Sequence, residues 1–402
     1  MAEVVVDPQG APLDTGLAVR VTGLPPDSPA TITLTTGDRA SRAVFVADER
    51  GVVDLTRHAP VEGDYAGVDP MGLFWSLAPT GRAAGATLLE VEGVGEVGIE
   101  RRTLPEGVVR TEVDEDGLVG VLFAPDDDDD MHPGVIVLGG SEGGLHELDA
   151  ALLAGHGFVA LALAYFGAPG LPEGLVDVPL EYFGTAVSYL SARAGEIGVI
   201  GGSRGGEAAL LIGASFPEVR AVVSVVGSGV VTQGVGPRAN LLRVLQDEAA
   251  PWTWRGDRLP YLPCSVPDAL RAAVVDDEPV ALRQAFDLDD GVPEEAVIPV
   301  ERIRGGVLLL SAGDDRNWPS ERLSEIAKRR LDEHEHPFPY EHVSYPDAGH
   351  LIAGPPHRSA TDVRVPGPGV TFEMGGTPSA TAAARADAWR RSLKFFSELL
   401  DT

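Results

Sequence analysis

The 402-residue chain carries 61 acidic against 31 basic side chains, a net charge of −30, and that balance excludes the basic surface that a nucleic-acid backbone requires. A single cysteine, Cys264, excludes an intramolecular disulfide and a thiolate cluster for zinc, which fits a reducing compartment. No stretch of about 18 uninterrupted apolar residues suggests a membrane span, and the opening MAEVVVDPQG lacks the basic and apolar regions of a secretory signal, so a soluble cytoplasmic protein is expected.

Lysine is nearly absent, at Lys328 and Lys394 alone. Acidity of this kind suits concentrated salt, which screens the repulsion among carboxylates, and a halophilic protein is therefore expected. A GC-rich genome favouring Arg, Ala, Gly and Asp codons would leave a similar composition.

From the N-terminus, LAVRVTGL, ATITLTTG, SRAVFVAD and GVVDLTR alternate apolar and polar residues and are broken by Gly, Pro and Asp at intervals of about ten residues, the pattern of an all-β sandwich over residues 1–105. Within it, GDYAGVDPMGLFWSL (63–77) groups Met71, Leu73, Phe74 and Trp75 after a turn and reads as a core or interdomain plug. From residue 106 the pattern changes. VVRTEV and LVGVLFAP lead to the buried-type strand GVIVLGG, then a helix ELDAALLAGHG closed at Gly157, the strand FVALALAY, the helix PLEYFGTAVSYLSAR, the strand and turn IGVIGGS, the helix GEAALLIGASF and the strand VRAVVSVVG. Near-continuous apolar strands alternating with helices predict a parallel sheet covered on both faces, here an α/β domain over residues 106–402.

Residues 229–300, rich in Pro, Trp and Asp and weakly periodic, read as an excursion that caps a pocket. RGGVLLLSAGDD restores a strand, SERLSEIAKRRLDEH is an amphipathic helix, YEHVSYPDAGH a strand and loop, and TAAARADAWRRSLKFFSELL the closing helix. The run Asp126–Asp130 reads as a solvated turn and not a calcium loop, since no glycine-punctuated ligand spacing accompanies it. No cofactor or metal site and no internal repeat is evident.

The chemistry centres on Gly201-Gly202-Ser203-Arg204-Gly205, a G-x-S-x-G placed between a strand and a helix, where the turn is sharp enough to project the serine hydroxyl above the sheet. A serine needs a base to take its proton and an acid to orient that base. In the α/β-hydrolase fold these follow in the order Ser, Asp/Glu, His, each after a strand. Asp314 and Asp315 follow VLLLSAG, and His350 follows YEHVSYPDAG. The Asp-x-x-x-Pro spacing to Pro319 selects Asp315, with Asp314 the alternative. His342 reads as structural within its strand, and His334 and His336 as solvated at a helix end. The oxyanion donors expected are the backbone N–H of Arg204, at a helix N-terminus, and that of Gly140 or Ser141 in GGSEGG.

With these residues assembled, the chain resembles the family of type I acyl-CoA thioesterases and bile acid-CoA:amino acid N-acyltransferases. The resemblance lies in GVDPMGLFWSL, LPEGVVRTEV, PGVIVLGGSEGGLHELDAALLAGHGFVALALAYFG, IGVIGGSRGG, IPVERIRGGVLLLSAGDDRNWPS, YPDAGHLI and GGTPSATAAARADAWRRSLKFF. It implies an N-terminal immunoglobulin-like sandwich, a C-terminal α/β-hydrolase domain, and a triad carried onto Ser203, Asp315 and His350. It also implies an acyl-CoA substrate with water as the acyl acceptor. Serine at the nucleophile favours hydrolysis over the amidating branch, whose members use cysteine. Arg204 stands where relatives tend to have Lys, and GGSEGG is less uniformly glycine than theirs. The alternatives are another serine ester hydrolase of the same fold, such as a dienelactone hydrolase, and an N-acyltransferase. An anionic ligand would need local arginines, for which Arg204 and Arg255 are candidates.

Overall fold

A computed structural model describes residues 1–81, 85–127, 131–237 and 240–400. Of the acidic run at 126–130, Asp128 to Asp130 lie outside the described residues.

Eight strands form the central sheet: β1 (Val108–Val113), β2 (Val119–Pro125), β3 (Gly134–Leu138), β4 (Val159–Ala164), β5 (Ile197–Gly202), β6 (Val219–Val225), β7 (Gly306–Ala312) and β8 (Tyr340–Tyr345). Their order is β1-β2-β4-β3-β5-β6-β7-β8. Only β2 runs against its neighbours, antiparallel to β1 and to β4; the pairings from β4 to β8 are parallel. Helices α1 (Glu147–Gly155), α2 (Leu180–Ser191), α3 (Arg204–Ser215), α4 (Ser320–Glu333) and α5 (Pro378–Leu400) pack on the sheet. The strands are apolar throughout because both faces are covered. Val199, Leu309, Phe183 and Leu210 belong to one core, and Val135, Val223, Leu308 and Phe396 to the other. The chain order predicted over this part of the sequence is the one observed.

Residues 1–105 form strand pairs around a separate core, antiparallel except for Gly10–Pro12 with Glu100–Arg102, which run parallel. Val19, Val21 and Val53 come from the sheet that contains Ala18–Thr22. Ile32, Leu34, Phe45 and Leu89 come from the sheet that contains Pro29–Thr36 and Arg39–Val46. GVVDLTR contributes only the two-residue strand Val53–Asp54. Met71 to Trp75 are buried, the last four as a short helix, and the chain beyond them is tied to the distant segment 359–361. The Ala360 N–H donates to the Trp75 carbonyl at 2.9 Å, and Ser359 Oγ donates to the Leu77 carbonyl at 2.7 Å. This is the plug expected from the sequence, with contacts on both sides. No helix among the described residues is long and apolar enough to cross a membrane.

Candidate active site

The elbow between β5 and α3 holds Ser203 at φ 54° and ψ −119°, a backbone region that a non-glycine residue occupies only when its surroundings force it there. The flanking glycines are required by close approach. A Cβ on Gly201 would stand 2.2 Å from the Gly205 carbonyl oxygen, and one on Gly205 would stand 2.4 Å from that of Gly139. The Arg204 amide is the first of α3, where the helix itself supplies no acceptor.

Three loops at the C-terminal ends of β5, β7 and β8 converge. Asp315 Oδ2 lies 2.8 Å from His350 Nδ1, and His350 Nε2 lies 3.1 Å from Ser203 Oγ. An ionised carboxylate only accepts, so Nδ1 carries the proton and Nε2 is left to accept from the serine hydroxyl. Asp315 is fixed by its other oxygen, which accepts the N–H groups of Asn317 at 2.9 Å and Trp318 at 3.1 Å; it is 1% exposed and His350 7%. Asp314 turns away, accepting from Gly376 N–H at 2.9 Å and pairing with Arg316 at 3.3 Å. The structure thus brings Ser203, Asp315 and His350 together and leaves Asp314 out.

Of the other histidines, His342 lies in β8, 2.8 Å from Ser311 Oγ, and His334 is exposed. His336 departs from expectation: it is buried and Nε2 donates to the Gly305 carbonyl at 3.0 Å. The ring tucks back under the end of α4 because it packs with Phe338 and Tyr340.

At the oxyanion loop, the Gly140 N–H already donates to Glu142 Oε1 at 2.9 Å, and the same oxygen pairs with His146 Nε2 at 2.8 Å. Burial opposes the charge on His146, but Asp149 and Glu142 outweigh it and hold its pKa up to about 10. The Glu142 carboxyl, which burial would raise, is lowered by hydrogen bonds from His146 and the Gly140 amide. Neither residue was singled out in the sequence, where S-E-G-G-L-H reads as a loop with no chemical spacing.

Arg204 stands in the cavity wall, with its guanidinium turned away from the opening. Its guanidinium folds inward, with Nη1 2.9 Å from Glu207 Oε2 and Nη2 donating to the Thr232 carbonyl at 3.0 Å. Glu207 is wholly buried and also accepts from Thr232 Oγ1 at 2.8 Å and Trp252 Nε1 at 2.8 Å. Burial pushes this carboxyl up and Arg204 opposes the shift. Arg255 is exposed, set over the Trp254 ring and not in the cavity wall. Of the two arginines expected to meet an anionic ligand, Arg204 lines the cavity but is committed to Glu207 and Thr232, and Arg255 lies outside its wall.

Ser203 and His350 open onto a cavity of about 900 Å³. Leu241, Leu245, Leu282 and Phe286 of the 229–300 segment line it, with Phe372 and Met374 from a region to which the sequence assigned no element. That region is a hairpin, Arg364–Gly367 with Val370–Glu373. Cys264, remote from Ser203 in sequence, lines the same cavity, and burial pushes its thiol up to about 12. Among the described residues no group of three or more His, Cys, Asp or Glu could hold a metal.

Residues 178–402 match the family described as BAAT / acyl-CoA thioester hydrolase, C terminal, and residues 14–93 match the acyl-CoA thioester hydrolase/BAAT N-terminal region. The chain is 31% identical to acyl-coenzyme A thioesterase 1 of Homo sapiens over 443 residues, covering 99% of this chain and 97% of that one. The chain belongs to the acyl-CoA thioester hydrolase/BAAT family. This member is also 30% identical to the mitochondrial acyl-coenzyme A thioesterase 2 of Homo sapiens, over 99% of its own length and 84% of the relative's. It is 31% identical to acyl-coenzyme A amino acid N-acyltransferase 2 of Mus musculus, with 100% and 98% covered. The family thus holds hydrolases and transferases at equal distance from this chain.

Proposed function

We propose that the protein hydrolyses acyl-CoA thioesters by a serine mechanism, with residues 1–105 an immunoglobulin-like sandwich, residues 106–402 the catalytic α/β-hydrolase domain, and 229–300 its cap. The observation that carries this reading is the Ser203–His350–Asp315 chain of contacts at 3.1 and 2.8 Å, opening onto a largely apolar cavity. Ser203 Oγ gives its proton to His350 Nε2 as it attacks the thioester carbonyl, and Asp315 stabilises the imidazolium. The oxyanion is received by the Arg204 amide and by that of Gly140 or Ser141. Gly140 can serve only once Glu142 has swung off its N–H. The CoA sulfur leaves with the proton from His350, and water deprotonated by the same nitrogen frees the acid from Ser203.

Hydrolysis is favoured over transfer to an amine because residue 203 is serine and the one cysteine, half-buried in the cavity wall, has a raised pKa. Ser203→Ala lowers release of free CoA thiol from a panel of acyl-CoAs by roughly 10⁴-fold or more and abolishes labelling by a fluorophosphonate, with the fold unchanged by circular dichroism. Undiminished turnover in that variant overturns the assignment. No thiol release by the wild type, with intact hydrolysis of p-nitrophenyl esters, moves the protein to the ester hydrolases.

A further inference from the structure

One side of the cavity, its arginine arm, is walled jointly by the N-terminal region and the C-terminal part of the chain, which Arg39 links through Ser359 and Asp362. Thr36, Arg39, Thr87 and Arg101 line it from the N-terminal region, and Arg358 and Arg385 from the C-terminal part. Among the described residues the cavity wall holds five arginines, those four and Arg204, against the carboxylates of Glu142, Asp149 and Asp362. In a chain with 61 acidic and 31 basic residues, this reverses the prevailing sign.

How these arginines are partnered sets them apart. Several surface arginines sit on carboxylates: Arg258 on Asp177 at 2.7 Å, Arg110 on Glu147 at 2.7 Å, Arg330 on Glu301 at 2.6 Å. In the seam only Arg39 is so paired, with Asp362 at 2.9 Å. Among the described residues no carboxylate forms an ion pair with Arg101, Arg358 or Arg385. Arg385, inside α5 and buried, donates to the carbonyls of Leu351 at 2.6 Å and Ser359 at 3.1 Å. Arg358 donates to those of Pro355 at 3.2 Å and Ala353 at 3.3 Å. Arg101 reaches the Leu13 carbonyl, while its Nε and Nη1 are buried without an acceptor. Carbonyl oxygens orient a guanidinium without neutralising it, and a buried charge left without a counter-ion is costly. Burial lowers both Arg101 and Arg385 to about 10, with Arg358 adding to the shift of Arg385; Asp14 opposes it at Arg101, and Asp362 and Asp149 at Arg385, without cancelling it. His357 beside them adds no charge near neutrality, since burial and then Arg101 push it down to about 4.

We propose that this arm binds the phosphate groups of the thiol carrier, through Arg101, Arg358 and Arg385 with Arg39 at its edge, while the acyl chain lies under residues 229–300. The inference rests on the thioester-hydrolase reading and assigns the phosphates to residues that reading does not use. Planar guanidinium forks match phosphate oxygens in pairs, and the Thr36 and Thr87 hydroxyls, 2.9 Å apart, add donors beside them.

The test compares an acyl-CoA with the same acyl group on pantetheine, which has no phosphate, in wild type, Arg101→Gln, Arg358→Gln and the surface control Arg255→Gln. Arg101→Gln and Arg358→Gln raise KM for the acyl-CoA about tenfold or more, leave kcat near wild type, and leave kcat/KM for the acyl-pantetheine unchanged. Arg255→Gln changes neither substrate, and Arg101→Lys recovers part of the loss. Equal losses on both substrates, or no loss on either, overturn the proposal. Calorimetric titration of free CoA into Ser203→Ala protein, with and without Arg101→Gln, reads the arm independently of turnover. If the wild type hydrolyses neither thioester but CoA binds in an Arg101-dependent way, the hydrolase reading falls and the phosphate site stands; if CoA binding ignores Arg101, the phosphate site falls.

Discussion

The Glu142–His146 pair shows how strongly single residues are tuned in the wall of the cavity that holds Ser203. The folded-state pKa of His146, about 10, lies above its ordinary value of 6.5, so its contribution to stability is fully present below pH 6.5. It declines as pH rises from there and is gone above about 10. Urea midpoints of the wild type should therefore fall between pH 6.5 and 10 by more than those of His146→Gln, in which no imidazolium can be lost. Parallel pH curves for the two proteins would show that His146 is not charged in the folded state. The pair also fixes the state of the loop after β3, because the Glu142 carboxylate occupies the Gly140 amide, which the proposed mechanism needs free.

At the scale of elements, α3 is anchored by a buried ion pair three residues apart, Arg204 with Glu207. Glu207→Ala leaves a guanidinium unpaired in the core and should destabilise the protein by about 3–5 kcal/mol, read as a lower urea midpoint at unchanged slope. A loss under 1 kcal/mol would mean that Thr232 and water suffice for Arg204. The strands and helices of the eight-stranded sheet were legible in the sequence because β3, β5, β6 and β7 are short apolar runs bounded by Gly, and G-x-S-x-G marks its own backbone geometry. The residues that contact Ser203 in series, His350 and Asp315, were legible from their order after strands, and the hydrogen bonds of Asp315 explain why it and not Asp314 faces His350. The seam was not legible. Arg101 and Arg358 lie in irregular or edge segments whose partners are carbonyls, and no residue spacing encodes a carbonyl. One signal was present: Arg385 falls on the apolar face of α5, in step with Thr381, Ala384, Ala388 and Trp389, where an arginine is out of pattern.

For the whole molecule the excess of carboxylates dominates. A net charge of −30 predicts that urea midpoints rise as KCl is taken from low to multimolar concentration, and equal stability at both would refute salt adaptation. The same screening should weaken the arginine arm, so KM for a phosphorylated substrate should climb with salt while that for its pantetheine counterpart holds.

The position of that arm, between two separately cored parts of the chain, makes a ligand there a mechanical fastener. Whatever binds across Arg101 and Arg385 grips both sides at once, and a ligand held only by the folded form at a hundred times its dissociation constant adds about 2.7 kcal/mol to stability. With CoA seated there as proposed, the unliganded protein should be cut first at this seam and added CoA should slow the cutting.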